Sequence, residues 1–166
     1  MNKAAFFDRD GTINVDVHYL YRCEDFQFIK GIPQFIKKFN DNGFKVIVVT
    51  NQSGIARGYY TENDMQKLHI YINELLHEYG AHIDAFYFCP HHPDITGECS
   101  CRKPKTGMIE QAIIDFDIDV TQSVLFGDKP LDLECGRLCN IDSYHISEMQ
   151  DFCWRYVSEN KIQIGW

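Results

Sequence analysis

Two rhythms of apolar residues alternate along this chain. Compact apolar runs fall at 3–7 (KAAFF), 44–50 (FKVIVVT), 83–89 (IDAFYFC) and 123–127 (SVLFG), and each reads as a buried strand. Between them apolar residues recur at helical spacing. Ile32, Phe35, Ile36 and Phe39 predict a helix over 31–42, with Gly43 as its stop. Thr61, followed three residues later by Asp64, predicts a capped helix running to Gly80. Further helices are predicted at 106–116, about 131–138 and near 148–158, with a fifth strand at 141–146. Strands alternating with helices predict a single α/β domain over 1–166: a Rossmann-like, mostly parallel sheet covered by helices on both faces. Two stretches, 14–30 and 89–105, lack periodicity. Long structureless loops are uncommon in compact domains, so both are expected to carry function or a metal.

Polar clusters sit where the predicted strands end. DRDGT follows the first strand, TNQSG the second, CPHHP the third and GDKPLD the fourth. Ligands of open α/β sheets bind outside the carboxyl ends of the strands, so all four clusters converge on one rim. Asp8 and Asp10 alone are compatible with a solvated strand end or with a working pair. The i, i+2 spacing aims both carboxylates to one side and directs Arg9 elsewhere.

The formal net charge of −8 argues against general affinity for nucleic acid or an anionic membrane. It leaves room for a small anionic substrate held by a few local cations. No apolar stretch approaches the ~20 residues that span a bilayer, and AAFF is too short for a signal-peptide core. The expectation is a cytoplasmic, monomeric protein with reduced thiols. Three of the seven cysteines, Cys89, Cys99 and Cys101, fall in one short stretch. With His91 they make a Cys₃His set suited to a tetrahedral structural Zn²⁺ in a loop over about 89–103. His92 is the competing imidazole.

DRDGT, VVTNQSG, CRKPKTGM and GDKPLD resemble, in order, the four motifs of the haloacid dehalogenase superfamily of phosphatases. The resemblance runs from about Ala4 to Asp132. It implies a phosphoryl transfer in which Asp8 is the nucleophile, forming an aspartyl-phosphate, and Asp10 the general acid and base. It implies Mg²⁺ held by Asp8, the Asp10 carbonyl and Asp128, with Asp132 behind them. Thr50 would donate to the phosphoryl group, Lys103 would neutralise it and hold Asp8, and Lys129 would balance charge beside Asp128.

The zinc loop resembles one branch, whose members act on heptose bisphosphates or on histidinol phosphate. TNQSGIARGYYT and GDK favour the heptose members, and His91 is the imidazole that the C-x-H pattern selects. The short zinc loop pulls toward the histidinol members, and NVDVHY departs from the usual heptose pattern. A phosphorylated sugar substrate would then touch Asp16, Val17, His18, Tyr19, Thr50, Asn51, Gln52, Ser53, Lys103 and Lys129. Arg57 and Arg102 would grip a second phosphate, because guanidinium matches phosphate bidentately. No long insertion leaves room for a large cap domain. A non-catalytic, zinc-stabilised binding module is the competing class; the complete set Asp8, Asp10, Thr50, Lys103 and Asp128 argues against it.

Overall fold

The computed structural model describes residues 1–152. Five strands, β1 (Ala4–Phe7), β2 (Lys45–Asn51), β3 (Ala85–Cys89), β4 (Val124–Gly127) and β5 (Asp142–His145), form one sheet in the order β3-β2-β1-β4-β5. Every pairing is parallel, so the sheet is parallel throughout rather than mostly so. The helices are α1 (Ile32–Asp41), α2 (Glu62–His77), α3 (Pro93–Thr96), α4 (Gly107–Phe116) and α5 (Pro130–Leu138). The predicted capping box closes α2: Thr61 Oγ1 accepts from Asp64 N, and an Asp64 carboxylate oxygen accepts from Thr61 N.

Alternation along the strands divides the core into two layers. Ala5, Phe7, Val46, Val48, Val124 and Phe126 pack against Ile32, Phe35, Ile36 and Phe39 of α1 and Leu68, Ile72 and Leu76 of α2. Ala4, Phe6, Ile47, Val49 and Leu125 face Met108, Ile109 and Ala112 of α4 and Cys135 of α5. β1 is thus covered on both sides, and its continuous apolar run follows from that. Because β1 lies in the middle, the chain leaves it in one direction toward β2 and β3 and in the other toward β4 and β5. The crevice at this reversal lies just beyond Phe7, where Asp8 begins.

The two aperiodic stretches are ordered without a hydrophobic period. Residues 14–30 fold back on themselves, with Val15 N donating to Gln27 O and Ile29 N to Ile13 O. The 89–105 stretch contains α3, whose first turn is capped by the His92 ring accepting from Asp94 N. The helix expected near 148–158 lies mostly outside the described residues; 149–152 are helical. Among the described residues no helix is long and apolar enough to cross a membrane.

Phe39 is fully buried, and its ring lies 5.0–6.0 Å from those of Phe7, Phe35, Phe44, Phe126 and Phe152. Phe39→Ala should therefore destabilise the fold by ~3–5 kcal/mol, the range for truncating a fully packed aromatic. Urea denaturation, read as a lowered midpoint at unchanged slope, measures it.

Candidate active site

Lys103 lies at the floor of the crevice with 3% of its surface exposed. Its ammonium reaches Asp8 Oδ1, Asp132 Oδ1 and the Val49 carbonyl, each at 2.7 Å. The contacts with Asp8 and Val49 are hydrogen bonds, and the contact with Asp132 is an ion pair. The backbone of Lys103 is held as well: its N–H donates to Asn51 Oδ1 at 3.0 Å, and its carbonyl accepts from Asn51 Nδ2 at 3.3 Å. One residue thereby joins the end of β1, the end of β2 and the first turn of α5. Burial draws the lysine down, but the two carboxylates hold it above the usual range. Burial pushes Asp8 up to about 7, aided by Asp132 and Asp10 and opposed by Lys103.

Asp132 has two duties. While Oδ1 faces Lys103, Oδ2 accepts from the Lys129 N–H and so caps α5. Gly127 makes this fit possible, since a Cβ there would lie 2.3 Å from the Asp132 Cβ. On the opposite side Gly11, at φ +85°, gives room to Asp128, whose Oδ2 would be 2.2 Å from any added Cβ.

Asp10 is held by a different set of groups. Its carboxylate accepts from Arg9, from Asn14 Nδ2 at 3.1 Å and from Gln52 Nε2 at 2.9 Å. Burial would raise its pKa, but Arg9 and these amides hold it below the usual carboxylate range. The sequence predicts that Arg9 points away from the acid pair. It does leave the cleft, yet it turns underneath, fully buried, to bond Asp10. Nothing in the alternation of one strand could reveal that route, which depends on acceptors from three other segments, at Leu20, Gln52 and His69. The flanking of a buried-run arginine by acids was the available hint.

These groups open into a cleft of about 260 Å³ lined by Asp8, Asp10, Asp16, His18, Tyr19, Asn51, Gln52, Ser53, Tyr60, Arg102, Lys103, Lys129, Leu131 and Asp132. Most of the predicted contact residues thus meet. Three do not line it. Thr50 is buried below, its hydroxyl oxygen accepting from Gln52 Nε2 at 2.8 Å. Val17 lines a neighbouring depression. Arg57 is exposed, its guanidinium carbon 6.0 Å from the centre of the Tyr19 ring. Tyr60 and Leu131 also belong to the lining; they lie within the stretches TNQSGIARGYYT and GDKPLD, and neither is among the predicted contacts. Arg102 is steadied from behind by donating to the His91 carbonyl at 3.3 Å.

Two donor sets suit metal ions. Carboxylate oxygens of Asp8, Asp128 and Asp132 lie within 4.8 Å of one another. Asp132 is already engaged by Lys103 and the α5 N-terminus, which leaves Asp8 and Asp128 as an all-oxygen pair beside the cleft, the donor type Mg²⁺ prefers. The second set is Cys89, Cys99 and Cys101, whose sulfurs also lie within 4.8 Å of one another. The predicted fourth member, His91, is not gathered with them. Its neighbour His92 is occupied in capping α3. Three thiols fit zinc, with one position left to a nitrogen or oxygen donor. Gln52 N donates to the Cys89 carbonyl at 2.7 Å, so this cluster is tied to the second motif.

Chemically, the cleft offers a buried carboxylate beside an ammonium, a second carboxylate in a fixed orientation, and cations facing open solvent. That arrangement can receive a phosphate monoester, attack it from Asp8 and transfer a proton through Asp10.

Comparison with known proteins agrees. Residues 3–134 match a family model described as polynucleotide kinase 3 phosphatase. The chain is 49% identical over 136 residues to the D-glycero-beta-D-manno-heptose-1,7-bisphosphate 7-phosphatase of Haemophilus ducreyi, covering 79% of this chain and 75% of that one. It is 44% identical over 144 residues to the alpha-anomer 7-phosphatase of Photorhabdus laumondii, covering 84% and 79%. The D,D-heptose 1,7-bisphosphate phosphatase of B. bronchiseptica, solved with magnesium and phosphate, superposes with a TM-score of 0.79 at 30% identity, over 85% of this chain and 78% of that one. The chain belongs to the haloacid dehalogenase-like phosphatases and, within them, to the family of the D-glycero-D-manno-heptose-1,7-bisphosphate 7-phosphatases.

Proposed function

We propose that this protein is a cytoplasmic, Mg²⁺-dependent phosphatase that removes the C7 phosphate of D-glycero-D-manno-heptose 1,7-bisphosphate through an aspartyl-phosphate on Asp8. The observation that carries the reading is the Lys103 ammonium held at 2.7 Å from Asp8 at the bottom of a cleft rimmed by cations. In this mechanism Asp8 Oδ attacks phosphorus in line with the scissile bond. Lys103 holds the nucleophile still and offsets charge on the transferring oxygens. Arg9 keeps the Asp10 carboxyl ionised in the free protein, so Asp10 takes up a proton with the anionic substrate and gives it to the leaving alkoxide as the P–O bond to C7 breaks. It then takes a proton from the water that attacks the aspartyl-phosphate, releasing inorganic phosphate and restoring Asp8. Bound Mg²⁺, held by Asp8, Asp128 and the Asp10 carbonyl, would supply positive charge on the phosphoryl oxygens.

Asn51, Gln52, Ser53, Asp16, His18, Tyr19 and Lys129 are the groups we assign to the sugar and its phosphates. Arg102 is the better candidate for the remote C1 phosphate, since it lines the cleft and Arg57 does not. The thiols of Cys89, Cys99 and Cys101, with His91 completing the set after a ring movement, are assigned to a structural Zn²⁺. Its role would be to hold the loop from which Arg102 and Lys103 emerge.

The direct assay is phosphate release from both anomers of the bisphosphate and from histidinol phosphate, with and without Mg²⁺. Turnover of a bisphosphate anomer that disappears on chelation is expected; preference for histidinol phosphate would transfer the assignment. Asp8→Asn should reduce turnover to background with an unchanged circular dichroism spectrum. Near wild-type turnover by that variant would sink the mechanism.

Arg102→Ala should weaken kcat/KM for the bisphosphate by roughly 1.5–3 kcal/mol, the scale of hydrogen bonds to a charged group, or about one to two powers of ten. A small aryl phosphate, with no second phosphate to lose, should be affected far less. Equal losses on both would place Arg102 in the general phosphoryl site. For zinc, metal analysis should find about one ion per chain, and Cys99→Ser or Cys101→Ser should lower the melting temperature. Fully stable, fully active protein without zinc would contradict that assignment.

A further inference from the structure

Behind the general acid lies a buried residue that the mechanism above does not use. His69 projects from α2, 6% exposed, with its ring stacked on Phe86 of β3 at 4.2 Å and an interplanar angle of 11°. Its Nε2 is 3.2 Å from Arg9 Nη1. A guanidinium has donors only, so Nε2 is the acceptor and the ring proton resides on Nδ1. Burial, with Arg9 beside it, pushes the imidazole down to about 3, and it stays neutral.

Arg9 is fully buried, so each of its N–H groups needs an acceptor. Nε faces Asp10 Oδ1 at 3.3 Å. Nη2 lies within 3.2 Å of both Asp10 oxygens, the Leu20 carbonyl and Gln52 Oε1. Nη1 has His69. The plane of the guanidinium is therefore set at three corners, and the corner opposite Asp10 is the imidazole. Gln52 is fixed in turn, since its Oε1 also accepts from Tyr60 OH, and its Nε2 donates to Asp10 and Thr50.

We propose that His69 is a positioning residue for the phosphatase reaction: it orients Arg9, and through Arg9 it aims the Asp10 carboxyl at the leaving-group oxygen. The inference rests on the reading of Asp10 as the general acid. An acid displaced by a fraction of an ångström protonates the leaving oxygen poorly, although the substrate and Asp8 are undisturbed. The loss should then depend on the leaving group. A sugar alkoxide needs the proton as the P–O bond breaks; p-nitrophenolate, a far weaker base, leaves without it. kcat/KM is the proper measure, because it reports steps up to formation of the aspartyl-phosphate and excludes its later hydrolysis.

The experiment compares kcat/KM for heptose 1,7-bisphosphate and p-nitrophenyl phosphate in the full-length wild type, His69→Leu, His69→Gln and Asp10→Asn. His69→Leu should lower the sugar phosphate value by about tenfold to a hundredfold and the aryl phosphate value by less than about threefold. His69→Gln, whose carbonyl oxygen can accept from Nη1, should recover most of the loss. Equal slowing of both substrates by His69→Leu, or no slowing of either, would overturn the proposal. Should the Leu variant fail to fold, His69→Thr, polar but too short to reach the guanidinium, is read by the same criteria. Asp10→Asn separates the two levels of argument. If it lacks the leaving-group dependence, the assignment of Asp10 fails. If it has the dependence and the His69 variants do not, only the role of His69 fails.

Discussion

The buried contact of Lys103 with Asp8 and Asp132 is the constraint on which the rest of this site depends. A carboxylate at the end of β1, another at the start of α5 and an ammonium from the loop before α4 share one buried space, each less than a tenth exposed. Isolating any one of them there would cost several kcal/mol, and removing a single partner strands the others. Each member depends on the others for its partner, which makes the group a gauge for the surrounding backbone. Gly127 is bare so that Asp132 can approach, and Asn51 clasps the lysine main chain so that its side chain starts from a fixed point. The Val49 carbonyl accepts a further hydrogen bond from the ammonium.

The same constraint explains where a metal-suited loop lies in this fold. Lys103 comes two residues after Cys101, the last of three gathered thiols, in a stretch with too few apolar residues to build a core. Its position has to be supplied by other means: helix α3, the hydrogen bond from Gln52 N to the Cys89 carbonyl, and the thiol cluster. Stability of the loop and placement of the cation are then one quantity.

The acid Asp10 sits on separate supports, and the two carboxylates differ accordingly. Asp8 shares its cation with Asp132 and is pushed up by burial, whereas Asp10 is paired with Arg9, bonded by two side-chain amides, and held down. Around them the chain places Arg102, Lys103 and Lys129 in the cleft, with Arg9 under it, while the molecule as a whole carries −8. A surface of that sign deters polyanions, and the cleft still presents a local positive field to a small phosphate ester.

Much of this was legible along the chain because it depends on local order. Apolar runs and helical spacing gave the strands and helices nearly to the residue, since β1 and β2 are buried on both faces and their sequences cannot alternate. The rim was legible because a parallel sheet brings all its carboxyl ends to one side, whatever lies between them. The metal-suited sulfurs were legible from their crowding. Three things were decided only by tertiary structure. Arg9 turns under the cleft because its acceptors come from Leu20, Gln52 and His69, segments whose meeting no single-strand alternation encodes. Asp132 doubles as helix cap and lysine partner because α5 begins where the loop after Cys101 crosses. Thr50 and Arg57, each within a convincing motif, miss the cleft because Gln52 covers one and Tyr19 draws the other outward. A sequence records which groups are available at a strand end. Which of them faces the ligand and which holds another in place depends on partners distant in sequence, and only packing brings those together.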